Sequence, residues 1–265
     1  MPIQTILKIN EVCQEFFLNA LHHSTEGTTA LSYCSSRKMD QRKMEWLRLG
    51  CCPSSLGCQA LRNSLRSLGL SNDQIRESGM WKIRPDGSLS PSLMNRLTIP
   101  IMNEAGQVVA FTARAIREGQ QPRYLNTDTT ALYKKGEELY NMDRARLCKQ
   151  MHKGVVLVEG CIKAEAVNRV GYKCVVATQG TALTESQCYA LASLSHEVTI
   201  AFDGDAAGAA ATEKAIPMLL ALGLGVKVAK MVGGGPDDML AAMGSMALVA
   251  ALGAAREWNQ VEVVA

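Results

Sequence analysis

Over the first eighty positions the apolar residues return at helical spacing. Ile9, Val12, Phe16, Phe17 and Leu21 mark one stripe, and a second segment runs through Met39–Leu49. The stretch Gly50–Gly57 carries Gly, Pro and two Ser and predicts a loop. Helix resumes from Leu61 to Leu68, and Ser71-Asn72-Asp73 offers a cap for a further helix ending near Glu77. At Trp81 the period changes. Arg84-Pro85-Asp86-Gly87 predicts a turn, and Leu97–Ile101 and Gln107–Ala115 predict two strands joined tightly at Asn103–Gly106, a hairpin or meander. Glu118–Pro122 is a polar loop.

From Gly154 the pattern alternates between short apolar runs and helical stretches. Val155–Val158 is continuously apolar, as a strand buried on both faces must be. Helix Lys163–Val170, strand Cys174–Thr178, helix Thr184–Leu194, strand Val198–Phe202, helix Ala207–Leu222 and strand Val226–Met231 follow. Such alternation predicts a parallel sheet with right-handed crossovers. Pro217 should kink or divide the third of these helices. The Ala- and Met-rich tail Ala241–Val261 is expected to be helical. The expected class is α/β: a helical and mixed α+β N-terminal subdomain, residues 1–150, then a mainly parallel sheet flanked by helices, residues 151–245, then a helical tail, residues 246–265.

Composition narrows the class without deciding function. The chain has 265 residues, 47% apolar and 20% charged, which is ordinary for a globular protein. No apolar run reaches the roughly 18 to 20 residues of a membrane span. The start, MPIQTILKIN, lacks the form of a signal peptide. The expectation is a cytoplasmic protein with no membrane association. Nine cysteines, without a CxxC pair, are expected to be reduced and mostly buried; a zinc site from Cys34, Cys51, Cys52 and Cys58 is the alternative, at a spacing no common finger has. Residues 1–150 carry 20 Lys+Arg against 14 Asp+Glu, whereas the rest carry 8 against 11. A basic first part and an acidic second part suit a protein that holds a polyanion with one and metal ions with the other.

The acids of the second part stand where strands are expected to end. Glu159-Gly160 closes the first, Asp203-Gly204-Asp205 the third, and Asp237-Asp238 follows the fourth after the glycines 233–235. Sites in parallel α/β sheets form outside the carboxyl ends of the strands, so these residues converge although Glu159 and Asp203 are 44 positions apart. Clustered carboxylates suit Mg²⁺ or Mn²⁺, and a pair of such ions is the usual device for stabilising attacking and leaving oxygens in phosphoryl transfer. Taken singly, a DxD is more often loop polarity or helix capping than a metal site.

The segments VLVEG, VVATQGTALT, IAFDGDAAG and GPDDML resemble, in order and spacing, the Toprim domain of bacterial primases, topoisomerases and some nucleases. NRLTIPIMNEAGQVVAFTARAI, QPRYLNTDTTALYKKGEELYNMDRA and INEVCQEFF resemble the DnaG-type primase core around that domain, so the resemblance runs from about Ile9 to Leu240. It implies synthesis of short RNA primers on single-stranded DNA from nucleoside triphosphates. Glu159 would then be general base or metal-shell acid, with Asp203, Asp205 and Asp237 holding Mg²⁺ or Mn²⁺. Arg96, Arg114, Arg123, Tyr124, Asn126 and Lys135 match the family's basic ridge for template and nucleotide phosphates, where Tyr124 has a ring to stack on a base. A replicative helicase or a separate template-recognition protein is the implied partner.

Two positions depart from the family pattern. Lys163 stands where an acid usually follows the Toprim glutamate, and Gly235 stands where Asp usually precedes the proline. A lysine there either neutralises the carboxylates as a second metal would, binds an incoming triphosphate, or simply points into solvent. The zinc-ribbon and helicase-binding segments of the family are not among these residues, as expected of an excised core or a minimal relative. The competing readings are a Toprim nuclease and a catalytically silent nucleic-acid-binding protein that acts on replication.

Overall fold

The computed structural model describes residues 1–148, 154–180 and 182–258. Lys149, expected on a solvated surface, Thr181 of the VVATQGTALT segment and the tail beyond residue 258 lie outside the described residues. The chain divides into two compact units, Met1–Lys135 and Gly136–Ala265.

The first unit begins with helices α1 (Ile3–His23), α2 (Thr25–Ser36) and α3 (Gln41–Leu47), followed by strand β1 (Gly50–Cys52). Helices α4 (Gln59–Ser67) and α5 (Asn72–Glu77) precede strands β2 (Trp81–Ile83), β3 (Leu89–Pro91), β4 (Arg96–Met102), β5 (Val108–Ala115) and β6 (Tyr124–Asn126). Helix α1 buries Ile6, Ile9, Cys13, Phe17, Ala20 and Leu21; of the expected stripe, Val12 and Phe16 are half-buried against the same cluster. Ser24 caps α2 by accepting from the Gly27 amide at 2.9 Å, and Ser71 and Gln74 form a reciprocal capping box on α5. The expected loop over residues 50–57 is corrected in its first three residues. Gly50–Cys52 is a strand antiparallel to β4, with Gly50 opposite Thr98, and all three residues are buried. A three-residue strand shows no alternation, and its neighbouring Gly and Pro imitate loop composition. The sheet order is β1-β4-β5-β6, with β2 and β3 paired apart from it.

The second unit contains α6 (Met142–Ala145), β7 (Val155–Val158), α7 (Cys161–Arg169), β8 (Val175–Ala177), α8 (Glu185–Leu194) and β9 (Glu197–Ile200). It continues through α9 (Ala206–Leu220), β10 (Gly225–Val228), α10 (Pro236–Met243), α11 (Ser245–Gly253) and β11 (Arg256–Glu257). The order is β11-β10-β9-β7-β8; all pairings are parallel except that of the edge strand β11. Every residue of β7 is buried, as its apolar run requires. The core joins Leu157, Val176, Leu191, Val198, Ile200, Ile216 and Leu219.

Four further expectations change. The units divide ahead of residue 150, because the segment after Lys135 is tied to the parallel sheet. Tyr140 bridges Ala177, the Asn141 amide donates to the Val175 carbonyl at 2.8 Å, and the Thr184 hydroxyl donates to the Gly136 carbonyl. Helix α9 nevertheless runs unbroken through Pro217, which takes away only its own amide's bond to the preceding turn. The tail is not one helix: Gly244, at φ +84°, separates α10 from α11, and β11 then adds to the sheet edge. Finally, Cys148 and Cys174 form a disulfide with Cα atoms 5.7 Å apart. Flanking contacts of Asn141 and Val175 bring together cysteines whose 26-residue separation hid the pairing. The other seven cysteines are outside any disulfide and buried. Cys52 and Cys58 lie in an apolar cluster with Cys13, not in a ligand shell. Among the described residues no helix is long and apolar enough to cross a membrane.

Candidate active site

Strands β7 and β9 are parallel neighbours, with Leu157 opposite Ile200. Their carboxyl ends therefore leave the sheet side by side, and the next residues with charge are Glu159 and Asp203. Between the two acids stands Lys163, in the first turn of α7. Its Nζ lies 2.5 Å from Glu159 Oε2 and 2.5 Å from Asp203 Oδ1, and the three side chains are 18% exposed for Lys163 and 24% for each acid.

The backbone around them is drawn tight. The Gly204 amide donates to the Gly234 carbonyl at 3.0 Å, which brings the loop after β10 onto the end of β9. Asp205 caps α9, its Oδ1 accepting from the Gly208 amide at 2.8 Å, and its side chain is exposed. A Cβ on Gly208 would lie 2.8 Å from the Asp203 carbonyl carbon, so only glycine lets this helix start so close to the strand end. Asp237 sits half-buried in the first turn of α10, the helix that Gly235 caps. The structure thus joins Glu159, Lys163 and Asp203 directly, uses Asp205 as a cap, and carries Asp237 on the adjoining helix.

Burial raises the Glu159 carboxyl above the usual carboxylate range; Lys163 opposes this and Asp203 adds to it. For Lys163, burial works against the charge, but hydrogen bonds and attraction from Asp203 and Glu159 outweigh it and hold the ammonium above the usual lysine value. The lysine is a cation throughout the neutral range.

The basic candidates all lie in the first unit and do not form one surface there. Arg114 and Leu97 are opposite each other on one face of β5 and β4, whereas Arg96 pairs with Ala115 on the other. Arg96 is buried, and its two terminal nitrogens donate to the Gln121 and Pro122 carbonyls at 3.1 and 2.8 Å. Arg114 is buried between two tyrosine rings, 5.4 Å from the Tyr33 centroid and 5.0 Å from that of Tyr124, and donates to both hydroxyls. Tyr124 and Asn126 share the Arg114 face, opposite Arg114 and Thr112. Arg123 and Lys135 are exposed.

Two family models match in succession: the DNA primase catalytic core, N-terminal domain, over residues 16–146, and a Toprim-like domain over residues 156–240. The chain belongs to the DnaG-type primase core family. It is 31% identical over 247 residues to the DNA primase of Staphylococcus aureus (strain COL), covering 92% of this chain and 41% of that protein. It thus spans about two fifths of the length of the curated relatives it matches. The RNA polymerase domain of Mycobacterium tuberculosis primase DnaG superposes with a TM-score of 0.86 at 28% identity, covering 96% of this chain and 84% of that one. The same domain in complex with a double-stranded DNA oligomer with a 6-nucleotide overhang gives 0.84 at 28% identity, covering 96% and 81%.

Toprim-type primases depend on metal as a family. Among the described residues, the donors of this chain do not, as folded, form a site for a pair of divalent ions, in keeping with the acids replaced at Lys163 and Gly235. The Glu159–Asp203 pair is already bridged by an ammonium, Asp205 is engaged as a cap, and among the described residues no group of three or more His, Cys, Asp or Glu is placed to hold an ion. Sequence reasoning also passed over Tyr33, which clasps Arg114 from α2; no local pattern pairs a helix tyrosine with an arginine 81 positions later.

Proposed function

We propose that this chain is a primase catalytic core that joins ribonucleotides into short primers on a single-stranded DNA template. The carrying observation is the convergence of Glu159, Lys163 and Asp203 at the ends of two parallel strands, in a chain whose two halves both match the primase core. In the reaction a ribose 3′-hydroxyl oxygen attacks the α-phosphorus of an incoming triphosphate, and pyrophosphate leaves. Glu159, whose carboxyl is raised by burial, is suited to receive the hydroxyl proton. Lys163, itself paired with Asp203, holds its carboxylate in place. Exposed Arg123 and Lys135 supply phosphate affinity without base preference, and the Tyr124 ring, 38% exposed, offers a stacking surface. DNA as template accords with the DNA complex of the mycobacterial relative. A helicase or a separate template-recognition protein would deliver that template, and Mg²⁺ or Mn²⁺ would accompany the nucleotide.

The test is incubation of the chain with single-stranded template, labelled nucleoside triphosphates and Mn²⁺. Template-dependent primers are the expected product. Cut template would replace this reading with a nuclease, and binding without either product would replace it with a silent nucleic-acid-binding protein.

A further inference from the structure

The bridging ammonium stands where its own helix does not favour it. Lys163 is the third residue of α7, at the end where the helix dipole repels a cation. It is also largely withdrawn from water. Both disadvantages are offset by two carboxylates at 2.5 Å, contributed by the ends of β7 and β9.

Room for the lysine comes from a third segment. Gly235 is buried and has φ −89° and ψ −178°, an extended backbone open to any residue, so conformation does not demand glycine there. Space does. A Cβ at this position would meet Asp203 Oδ1 first and most closely, and then Lys163 Cε at 2.8 Å and Cδ at 3.1 Å. The lysine stem and the Asp203 carboxylate paired with it therefore fill the volume that any side chain at position 235 would need.

From these contacts we infer that Lys163 is a resident cation, built into the Glu159–Asp203 pair in place of a bridging divalent ion, and that Gly235 is the space that admits it. The pair is held closed by the chain itself, and the site takes one divalent ion fewer than its carboxylates alone would bind. A divalent ion arriving between these acids would have to displace an ammonium that has nowhere else to gain two carboxylate partners. This deepens the reading above and rests on it for its meaning in catalysis, but its test needs no activity.

The experiment measures Mn²⁺ binding by the electron paramagnetic resonance of free ion, and melting in EDTA and in millimolar Mn²⁺. The parent should melt at the same temperature in both. Lys163→Asp places a third carboxylate in the cluster; it should melt lower in EDTA, recover in Mn²⁺, and bind the ion about tenfold tighter or with one more site. Should that variant fail to fold, Lys163→Ala leaves the two acids unbridged and should show the same EDTA sensitivity to a smaller degree. Gly235→Ala should lower the melting temperature in the parent and much less when combined with Lys163→Ala. A parent stabilised by Mn²⁺ as much as Lys163→Asp, or equal losses from Gly235→Ala in both backgrounds, would overturn the inference. Primers absent while the Lys163→Asp gain persists would remove only the functional reading; primers made while that gain is missing would remove only this one.

Discussion

The two units compensate their buried cations in different ways. At the edge of the parallel sheet, charges are buried together as ions: one ammonium compensates two carboxylates drawn from separate strands. In the antiparallel unit Arg114 is clasped by tyrosines and Arg96 by backbone carbonyls, neutral partners in both cases, and Cys34 and Cys51 there, like Cys188 in the other unit, are buried as neutral thiols. Topology explains the difference. Parallel neighbours end on the same edge, so residues just past their ends meet whatever their distance in sequence. An antiparallel pair alternates its faces, and a shift of one position sends Arg96 and Arg114 to opposite sides. Convergence favours chemistry; separation leaves structural roles.

The largest effect expected from breaking this contrast is at Asp203. Asp203→Asn keeps the volume and removes one of the two charges that hold Lys163. Primer synthesis should fall by roughly a thousandfold, as for loss of a group that acts within a preorganised charged site. Circular dichroism should show the fold intact. Parent-level synthesis by a folded Asp203→Asn protein would leave the acidic edge without a part in the chemistry.

Neutral burial of the thiols, common to both units, is tested by thiol chemistry. Burial pushes Cys34 up to about 11 and Cys51 up to about 12 in the first unit, and Cys188 up to about 11 in the second. Against an ordinary thiol near 8.5, a value near 11 lowers the thiolate fraction at pH 8 by roughly 200-fold, and reaction with Ellman's reagent should slow at least that much. The sign for stability follows. The folded state keeps protons that the unfolded chain releases, so this contribution is complete below about pH 8.5 and is lost as pH rises towards the folded values. Melting temperature should fall as the solution is taken from pH 8 to pH 10. Rapid native labelling at these three positions would show the burial to be breached. Unfolded without reductant, the chain should show seven reactive thiols, and all nine only after reduction of Cys148–Cys174.

How much of this was legible beforehand depends on the range of the signal. The strand-and-helix alternation of the second unit is a local pattern, and the apolar run of β7 is all buried as read. The strand ends then located Glu159 and Asp203 together, because topology did the rest. Lys163 was visible as a departure. That Gly235 is its steric counterpart was not, since nothing in a sequence shows that two positions 72 apart compete for one volume. In the first unit, β1 was missed because three residues carry no periodicity, and Tyr33 because its partner lies across the fold. Arg96 and Arg114 resembled phosphate ligands by position, and only burial shows how fully the fold engages them.

A middle-sized effect separates fold from ligand at Arg96. Removing its guanidinium strands the Gln121 and Pro122 carbonyls, and Arg96→Ala should lower stability by about 1–3 kcal/mol. Urea unfolding measures it. An unchanged midpoint together with weakened DNA binding would make Arg96 a ligand after all, and the contrast between the units would narrow.

The smallest effect distinguishes the exposed cations from the clasped one. A cation that neutralises a phosphate of a single strand releases about 0.7 counterion, so the slope of log affinity against log salt should become shallower by about that amount when it is removed. Lys135 and Arg123 are exposed, and nothing about their position prevents such a contact. Arg114 instead directs Nε and Nη1 to tyrosine hydroxyls and presents its plane to two rings. Lys135→Ala and Arg123→Ala should each lower the slope for single-stranded DNA while leaving the urea midpoint unchanged. Arg114→Ala should leave the slope near the parent's and lower the midpoint, since Tyr33 and Tyr124 lose the cation between them. A shallower slope for Arg114→Ala, with stability unaltered, would mean that the tyrosine clasp orients the guanidinium for a phosphate, and the antiparallel sheet would then hold a binding site of its own.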